Sequence, residues 1–380
     1  MEINKNRVIK KLLVLLTAIL SLLFFIATSL YSDSLKERPH GDKNKLPKGC
    51  GSCHMGHGAY NTPMLTARKD SFCFRCHGQN FEIEKSKHEG ALAQSADPAD
   101  IQTEFEKPYR HPIGKTGIHR FGETLPETDS SLPRHAECGD CHHHHFTSGN
   151  NKMSGVKGTD KDGAPVRSVK FEYELCFNCH SRSANLPTDQ VNKAELFNIS
   201  NPSFHPVIGP GRNSDVPSLT PPLSSSSTIK CTDCHNNDNP RGPKGPHGSI
   251  YKYLLSRNFT DFDGPEGSYQ YDLCYGCHRR NSILGNESFL YHELHISRLG
   301  TSCRTCHNPH GSTMNAHLIQ LDSMAVRPSS SGQLGFIDFG PRAGQCFLNC
   351  HDKDHDPAAY PGPSTTSPAS PQLLKQRYRR

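Results

Sequence analysis

The sequence predicts a mostly irregular fold of short α-helices with little or no β-sheet, organised around a core that apolar side chains do not supply. Three observations carry this. First, only 33% of 380 residues are hydrophobic, Trp is absent and the mean hydropathy is −0.66, while charged residues stop at 21% and the net charge at +6. The chain is poor in core material without being a charge-swollen disordered polymer. Second, 31 Gly and 28 Pro interrupt regular structure throughout. Third, 16 Cys and 24 His stand where apolar residues are missing.

Composition removes several function classes. One long uncharged apolar run excludes a multi-span membrane protein. The 43 basic residues are nearly balanced by 37 acidic ones, with no basic arm before the last few positions, which argues against a nucleic-acid partner. Ordinary cytosolic enzymes rarely keep so many cysteines.

The elements follow in chain order. Lys5, Arg7, Lys10 and Lys11 precede an uncharged stretch over 12–32, and Ala27-Thr28-Ser29 offers a small-residue cleavage site. This is the anatomy of a signal peptide over residues 1–32. An uncleaved N-terminal anchor is the alternative, and it would be the chain's only link to a membrane. Either way the chain is expected to be exported, to the periplasm or the cell surface. No Cys lies near residue 30 to carry a lipid.

The cysteines form eight pairs with none left over. Seven are C-x-x-C-H: Cys50/Cys53-His54, Cys73/Cys76-His77, Cys138/Cys141-His142, Cys176/Cys179-His180, Cys231/Cys234-His235, Cys274/Cys277-His278 and Cys303/Cys306-His307. The eighth, Cys346/Cys350-His351, has one extra spacer. C-x-x-C-H is the attachment signal of c-type haem: two thiols form thioethers with the porphyrin vinyl groups and the next residue offers an imidazole to the iron. Disulfides or zinc half-sites would not require His after every second Cys. At the His frequency of this chain, eight such coincidences have a probability on the order of 10⁻¹⁰. Eight haem c groups are therefore expected, with His54, His77, His142, His180, His235, His278, His307 and His351 as proximal ligands.

The motifs pair into four dihaem modules, expected over 40–130, 131–225, 226–295 and 296–356, followed by a Pro/Ser/Thr-rich tail over 357–380 with a basic end. The first motif of a module is often followed by His-Gly, and His-Pro signatures recur upstream at His111 and His205. Such repetition predicts a linear array of similar units. Helices are expected at the motifs and over 251–257 and 315–325. The tail reads as disordered, with docking to an acidic cytochrome or membrane surface as the alternative.

The paired motifs, together with NPHGS (Asn308 to Ser312), GPKGPHGS (Gly242 to Ser249) and FHPV (Phe204 to Val207), resemble the multihaem c-type cytochromes of doubled C-x-x-C-H modules found in bacteria that respire metals and other external acceptors. The resemblance covers roughly residues 47–355. It implies electron transfer through low-spin haems rather than substrate turnover.

Eight six-coordinate irons need eight further ligands. Only six Met exist, Met1 among them, so paired His ligation is the natural reading, with sulfur left open at one site. One His recurs after each first motif: His57, His145, His247 and His310. Three residues reach at most about 10 Å, roughly half the path around a porphyrin edge, so such a His must serve a neighbouring haem, most simply the second of its own module. Another recurs before each first motif: His40, His111, His205 and His295. These are the candidates for the first haem of each module. His292 and His135 are substitutes for the upstream role, and His143 and His144 compete with His145. His88, His119, His317 and His355 stay unassigned. The run CHHHH could also take an adventitious metal.

The expected function is an exported octahaem electron carrier. Its partners are other redox proteins, quinol-oxidising or outer-membrane cytochromes, as donor and acceptor, with self-association into a filament as a variant. Each ferric haem with two ionised propionates adds a net −1, so eight would turn the mildly basic polypeptide into an anion. The rival is an octahaem oxidoreductase acting on a small nitrogen or sulfur compound. That would need an open iron position, and no C-x-x-C-K occurs here.

Overall fold

The computed structural model describes residues 38–56, 64–67, 70–114, 136–148, 151–181 and 190–360, with the single positions 16 and 186. The expected signal peptide or anchor (but for Leu16), the tail beyond 360, and His57, His119 and His135 lie outside the described residues. Among the described residues no helix is long and apolar enough to cross a membrane.

The chain divides into two compact units: residues 1–102, 113–118 and 136–156, and residues 103–112, 119–135 and 157–380. The first holds the motifs that begin at Cys50, Cys73 and Cys138, and the second the other five. The division thus falls between the two motifs of the expected second module.

The first unit has a 3-10 turn at Gly49–Ser52 and helices α1 (Ser71–His77), α2 (Asn80–His88) and α3 (Cys138–Cys141). Its small core is Leu46, Ile83 and Leu92, packed against Cys76 and Ala96. The second unit adds α4 (Glu172–His180), α5 (Lys193–Leu196), α6 (Cys231–Cys234), α7 (Asp272–Tyr275), α8 (Arg280–Leu284) and α9 (Cys303–Cys306), with a π-helical turn at Glu293–Arg298. Tyr173, Phe177, Ala194 and Phe197 form its apolar cluster, with Val207, Ile208 and Cys231 against it.

Most motif helices are single turns, and the sequence says why. The third residue of C-G-D-C and C-T-D-C is a built-in cap: Asp140 Oδ2 accepts from Glu137 N–H at 2.7 Å, and Asp233 Oδ2 from Lys230 N–H at 2.8 Å. At α9 the cap is Ser302, whose Oγ accepts from Thr305 N–H at 3.3 Å. Each turn closes when the N–H of the motif His donates to the carbonyl of the first Cys, at 2.9 Å for His54, His142, His235, His278 and His307.

Short antiparallel ladders explain the His-Pro and His-Gly-Ser signatures. Strand β1 (Tyr109–Arg110) pairs with β5 (Gly248–Ser249), and β4 (Ser203–Phe204) pairs with β6 (Gly311–Ser312). Each brings a His-Pro segment beside the His-Gly-Ser segment of a later repeat. The Gly is required by close approach: a Cβ on Gly248 would lie 1.7 Å from Glu104 O, and one on Gly311 2.0 Å from Leu196 O. The Ser hydroxyls tie the next loop, Ser249 Oγ to Leu255 O at 2.6 Å and Ser312 Oγ to Ile319 O at 2.7 Å. A further ladder joins β2 (Gly158–Thr159) to β3 (Pro165–Val166).

Two expectations fail. The helices expected over 251–257 and 315–325 are absent. The first is a 3-10 turn at Lys252–Leu254 with Tyr253 at φ 62°, and the second is irregular. Both segments are return arms that must receive a motif: Asn236 N–H donates to Leu254 O and Ser256 N–H to Cys234 O, as Asn308 N–H does to Leu318 O and Gln320 N–H to Cys306 O. A helix would satisfy those groups internally and leave the motif unpaired. Little or no sheet was also expected, yet β7 (Gly335–Asp338), β8 (Gly344–Cys350) and β9 (Lys353–Tyr360) form a three-stranded antiparallel sheet. Strand β8 contains both cysteines of the eighth motif. The third spacer residue removes the one-turn helix, and the segment pairs on both edges instead.

Candidate haem sites

An iron held between two imidazoles fixes the spacing of the rings. A metal–nitrogen bond of about 2.0–2.1 Å, plus about 1.2 Å from each nitrogen to its ring centre, puts the centres about 6.4 Å apart. Six motif histidines face a second His at this spacing. In the first unit His54 faces His145 at 6.1 Å and His77 faces His40 at 6.1 Å. In the second His180 faces His111 at 6.4 Å, His235 faces His310 at 6.1 Å, His278 faces His205 at 6.3 Å and His307 faces His292 at 6.4 Å. The spacing alone is not diagnostic, since the adjacent rings of His143, His144 and His145 are 5.7–5.9 Å apart. Five of these six pairs instead join distant parts of the chain, and the sixth, His292 with His307, joins neighbouring elements.

Hydrogen bonds at seven of these twelve rings, and at the motif histidine His142, leave the other ring nitrogen available, while His292 Nδ1 is buried without a partner. Nδ1–H of His40 donates to His144 O at 2.9 Å, that of His77 to Ala99 O at 3.3 Å, and that of His142 to Lys152 O at 3.1 Å. In the second unit His111 donates to Pro246 O at 2.7 Å, His205 to Pro309 O, His235 to Tyr253 O at 2.8 Å and His307 to His317 O at 2.9 Å. His278 Nδ1 shares a 2.9 Å bond with Ser218 Oγ. A carbonyl can only accept, so Nδ1 carries the proton and Nε2 keeps its lone pair, the tautomer and orientation a metal-bound imidazole needs.

Electrostatics agree with neutral ligands. Burial pushes His310 and His292 down to about 3 and His278 and His307 down to about 4. It raises the thiols, Cys234 and Cys306 to about 12 and Cys141 and Cys346 to about 11. These are buried neutral thiols, not the electropositive thiolates of redox or metal-thiolate sites. All sixteen cysteines are free. Among the described residues no group of three or more His, Cys, Asp or Glu is arranged to hold a bare metal ion. Thiols in pairs beside opposed, neutral imidazoles fit haem c.

The partner choice differs from the expected one. The upstream histidines His40, His111 and His205 face His77, His180 and His278, the second motif His of their modules rather than the first. His145 and His310 face His54 and His235, the first motif His of the preceding module. In the second unit the β1–β5 and β4–β6 ladders, with the bonds from His111 to Pro246 O and from His205 to Pro309 O, register one repeat against a later one. His292 takes the place proposed for His295. His247 lies 5.6 Å from Phe105, ring to ring. His57 lies outside the described residues. In the CHHHH run, His145 is a facing ring, His144 orients His40 through its carbonyl, and His143 packs on Phe146 at 4.4 Å.

Successive modules meet at a repeated joint. A carboxylate before or within a second motif receives a backbone N–H at the start of the next first-motif helix: Asp70 from Cys138 at 3.1 Å, Glu172 from Thr232 at 2.8 Å and Asp263 from Ser302 at 2.8 Å. Helix N-termini favour such partners. At two joints sulfurs of different motifs lie beside each other, Cys73 by Cys138 and Cys274 by Cys303.

The eighth motif is built otherwise. His351 sits in the two-residue turn between β8 and β9, with φ 48°, followed by Asp352 at φ 61°. Its Nε2, the atom expected to face iron, lies 3.3 Å from Asp263 Oδ2, and 64% of its side chain is exposed. His355, which the sequence left unassigned, faces His295 at 6.5 Å. The available signal was the H-E-L-H spacing of His292 and His295, which presents two imidazoles from one turn.

Residues 39–81 and 224–282 match the family model described as the doubled CXXCH motif. No curated protein and no solved structure matches the chain. The motif indicates covalently bound haem c. The doubled CXXCH match, with opposed imidazoles standing beside paired thiols, is consistent with a multihaem c-type cytochrome.

Proposed function

We propose that this chain is an exported octahaem carrier that passes electrons between redox proteins through low-spin haems, nearly all held by two histidines. The observation that carries the reading is the six opposed imidazole pairs at 6.1–6.4 Å, each containing one C-x-x-C-H histidine. Each bound haem would supply a one-electron couple. The chain's own residues would hold and orient it: two thiols fix the ring covalently, and Nδ1–H bonds to carbonyls orient six of the paired imidazoles. Phe177, Tyr271 and Phe197 are buried beside the motifs and keep water out. A site closed by protein ligands on both sides suits a carrier better than an oxidoreductase, which needs an open iron position. The donor and acceptor are proposed to be quinol-oxidising and outer-membrane cytochromes, and the site of action the periplasm or cell surface.

Intact-mass measurement with pyridine haemochrome quantitation tests the cofactor content, and electron paramagnetic resonance tests ligation. The expected result is eight haem additions and low-spin ferric iron. Fewer additions would refute the octahaem reading. A resting high-spin population that turns over a small nitrogen or sulfur compound would favour the oxidoreductase.

A further inference from the structure

We propose that the iron of the eighth site is held between His355 and His295, and that His351, although it directly follows Cys350, is not an iron ligand. The inference rests on the octahaem reading and departs from its motif rule.

The argument begins with the backbone. In the motifs of His54, His142, His235, His278 and His307 the His N–H closes a helical turn on the first Cys carbonyl, and this directs the imidazole. The eighth motif has no such turn. Cys346 and Cys350 lie in strand β8, where residues two apart share a face. Cys346, Leu348 and Cys350 therefore point to one side. Cross-strand partners also share a face, and His355 of β9 is the partner of Leu348. The register sets an imidazole between the two thiols, on their side of the sheet. His351 is at the tip of the turn, beyond the end of the ladder.

Side-chain geometry points the same way. His355 and His295 are 6.5 Å apart at an interplanar angle of 44°. The His278–His205 and His307–His292 pairs are 6.3 Å at 42° and 6.4 Å at 46°. His295 Nδ1–H donates to Tyr291 O at 2.8 Å, which leaves Nε2 available, as at His111, His205, His235 and His307. His351 instead directs Nε2 at the Asp263 carboxylate. Asp263 is itself anchored to the start of α9 by Ser302 N–H and the Thr305 hydroxyl, each at 2.8 Å. His351 thus pins the hairpin tip to the seventh motif. Phe289 contacts His292 at 5.2 Å and His295 at 5.8 Å, so one aromatic ring supports the ligands of the seventh and eighth sites together.

The test uses the full-length holoprotein. The wild type is first digested and its haem peptides are weighed. An unmodified peptide spanning Cys346 and Cys350 would overturn the octahaem reading and this proposal with it, whereas a haem on that peptide leaves only the ligand question. The variants His351→Ala, His355→Ala and His295→Ala are then compared by electron paramagnetic resonance of the oxidised protein. The expected result is that His355→Ala and His295→Ala each convert one iron equivalent to high spin or to a new low-spin form. Imidazole added to His355→Ala should restore a spectrum of the original type. His351→Ala should leave every iron low-spin. An iron equivalent lost to high spin in His351→Ala, with His355→Ala unchanged, would overturn the proposal. If His351→Ala fails to attach the eighth haem, the His355→Ala spectrum decides alone: a changed iron supports the assignment and an unchanged one refutes it.

Discussion

Glu172 offers a direct measure of what joins one repeat to the next. Its two carboxylate oxygens each take one hydrogen bond from Thr232, from the backbone N–H and from the hydroxyl, both at 2.8 Å. Thr232 is the first residue after Cys231, so the clamp grips the helix carrying the fifth motif from the helix carrying the fourth. A hydrogen bond to a charged group contributes about 1.5–3 kcal/mol, and two on one side chain add less than twice that, so Glu172→Ala should cost about 2–4 kcal/mol locally. At about 1.4 kcal/mol per tenfold, opening of this turn should become about 30- to 700-fold more frequent. Amide hydrogen exchange of the holoprotein, read on the peptide spanning residues 228–236, measures this ratio against the peptides of the first unit. Thr232→Val removes only the hydroxyl bond and should cost about half as much. Unchanged protection at Thr232 in Glu172→Ala, with the His235 iron still low-spin, would refute the argument that the carboxylate holds the joint.

Further outcomes follow from the same geometry. Replacing both Cys176 and Cys179 with Ser should remove one haem from the intact mass while the other attachments persist. His310→Ala should produce one high-spin ferric iron, assignable to the His235 site rather than to the eighth; a signal from the His351 peptide would contradict the observed pairing. Phe177, buried in the cluster of the second unit, should cost about 3–5 kcal/mol when cut to Ala, read as a lower denaturant midpoint followed by circular dichroism. The Glu266 carboxyl is held below the usual carboxylate range, chiefly by the Arg280 guanidinium with help from the Tyr275 hydroxyl. That stabilisation is complete above the ordinary glutamate value of about 4.3 and is lost as the pH falls through the depressed folded value. Wild type and Arg280→Leu should therefore differ in thermal midpoint at neutral pH and converge in strong acid.

The Cys and His chemistry was legible in the sequence because covalent attachment demands particular residues at fixed local spacing. Which imidazole meets which was not, because it depends on pairing between residues far apart. The offset that sets His145 against His54 and His310 against His235 belongs to tertiary register. The ladder residues were visible as FHPV and NPHGS, but their meaning was not: Gly311 is there because Leu196 O occupies the space of a side chain. The failed helices over 251–257 and 315–325 teach the same point, since those arms answer to the hydrogen-bonding needs of distant motifs. The sheet at β7–β9 was missed because Cys346 to Cys350 was read as a variant of a helical motif, and the alternation along Gly344–Cys350 was not considered.

The backward reach of His145 to His54 and of His310 to His235 has a consequence in time. A chain delivered N-terminus first presents His54 well before His145 has emerged, and His235 before His310. Each such site therefore passes through a stage at which one face has no protein ligand, and the arrival of the next repeat ends that stage. A premature stop between His77 and His145, or between His278 and His310, would lock the stage in place. The length of chain completed would thereby be written into an earlier site, His54 or His235, while the later His77 or His278 site already has both imidazoles.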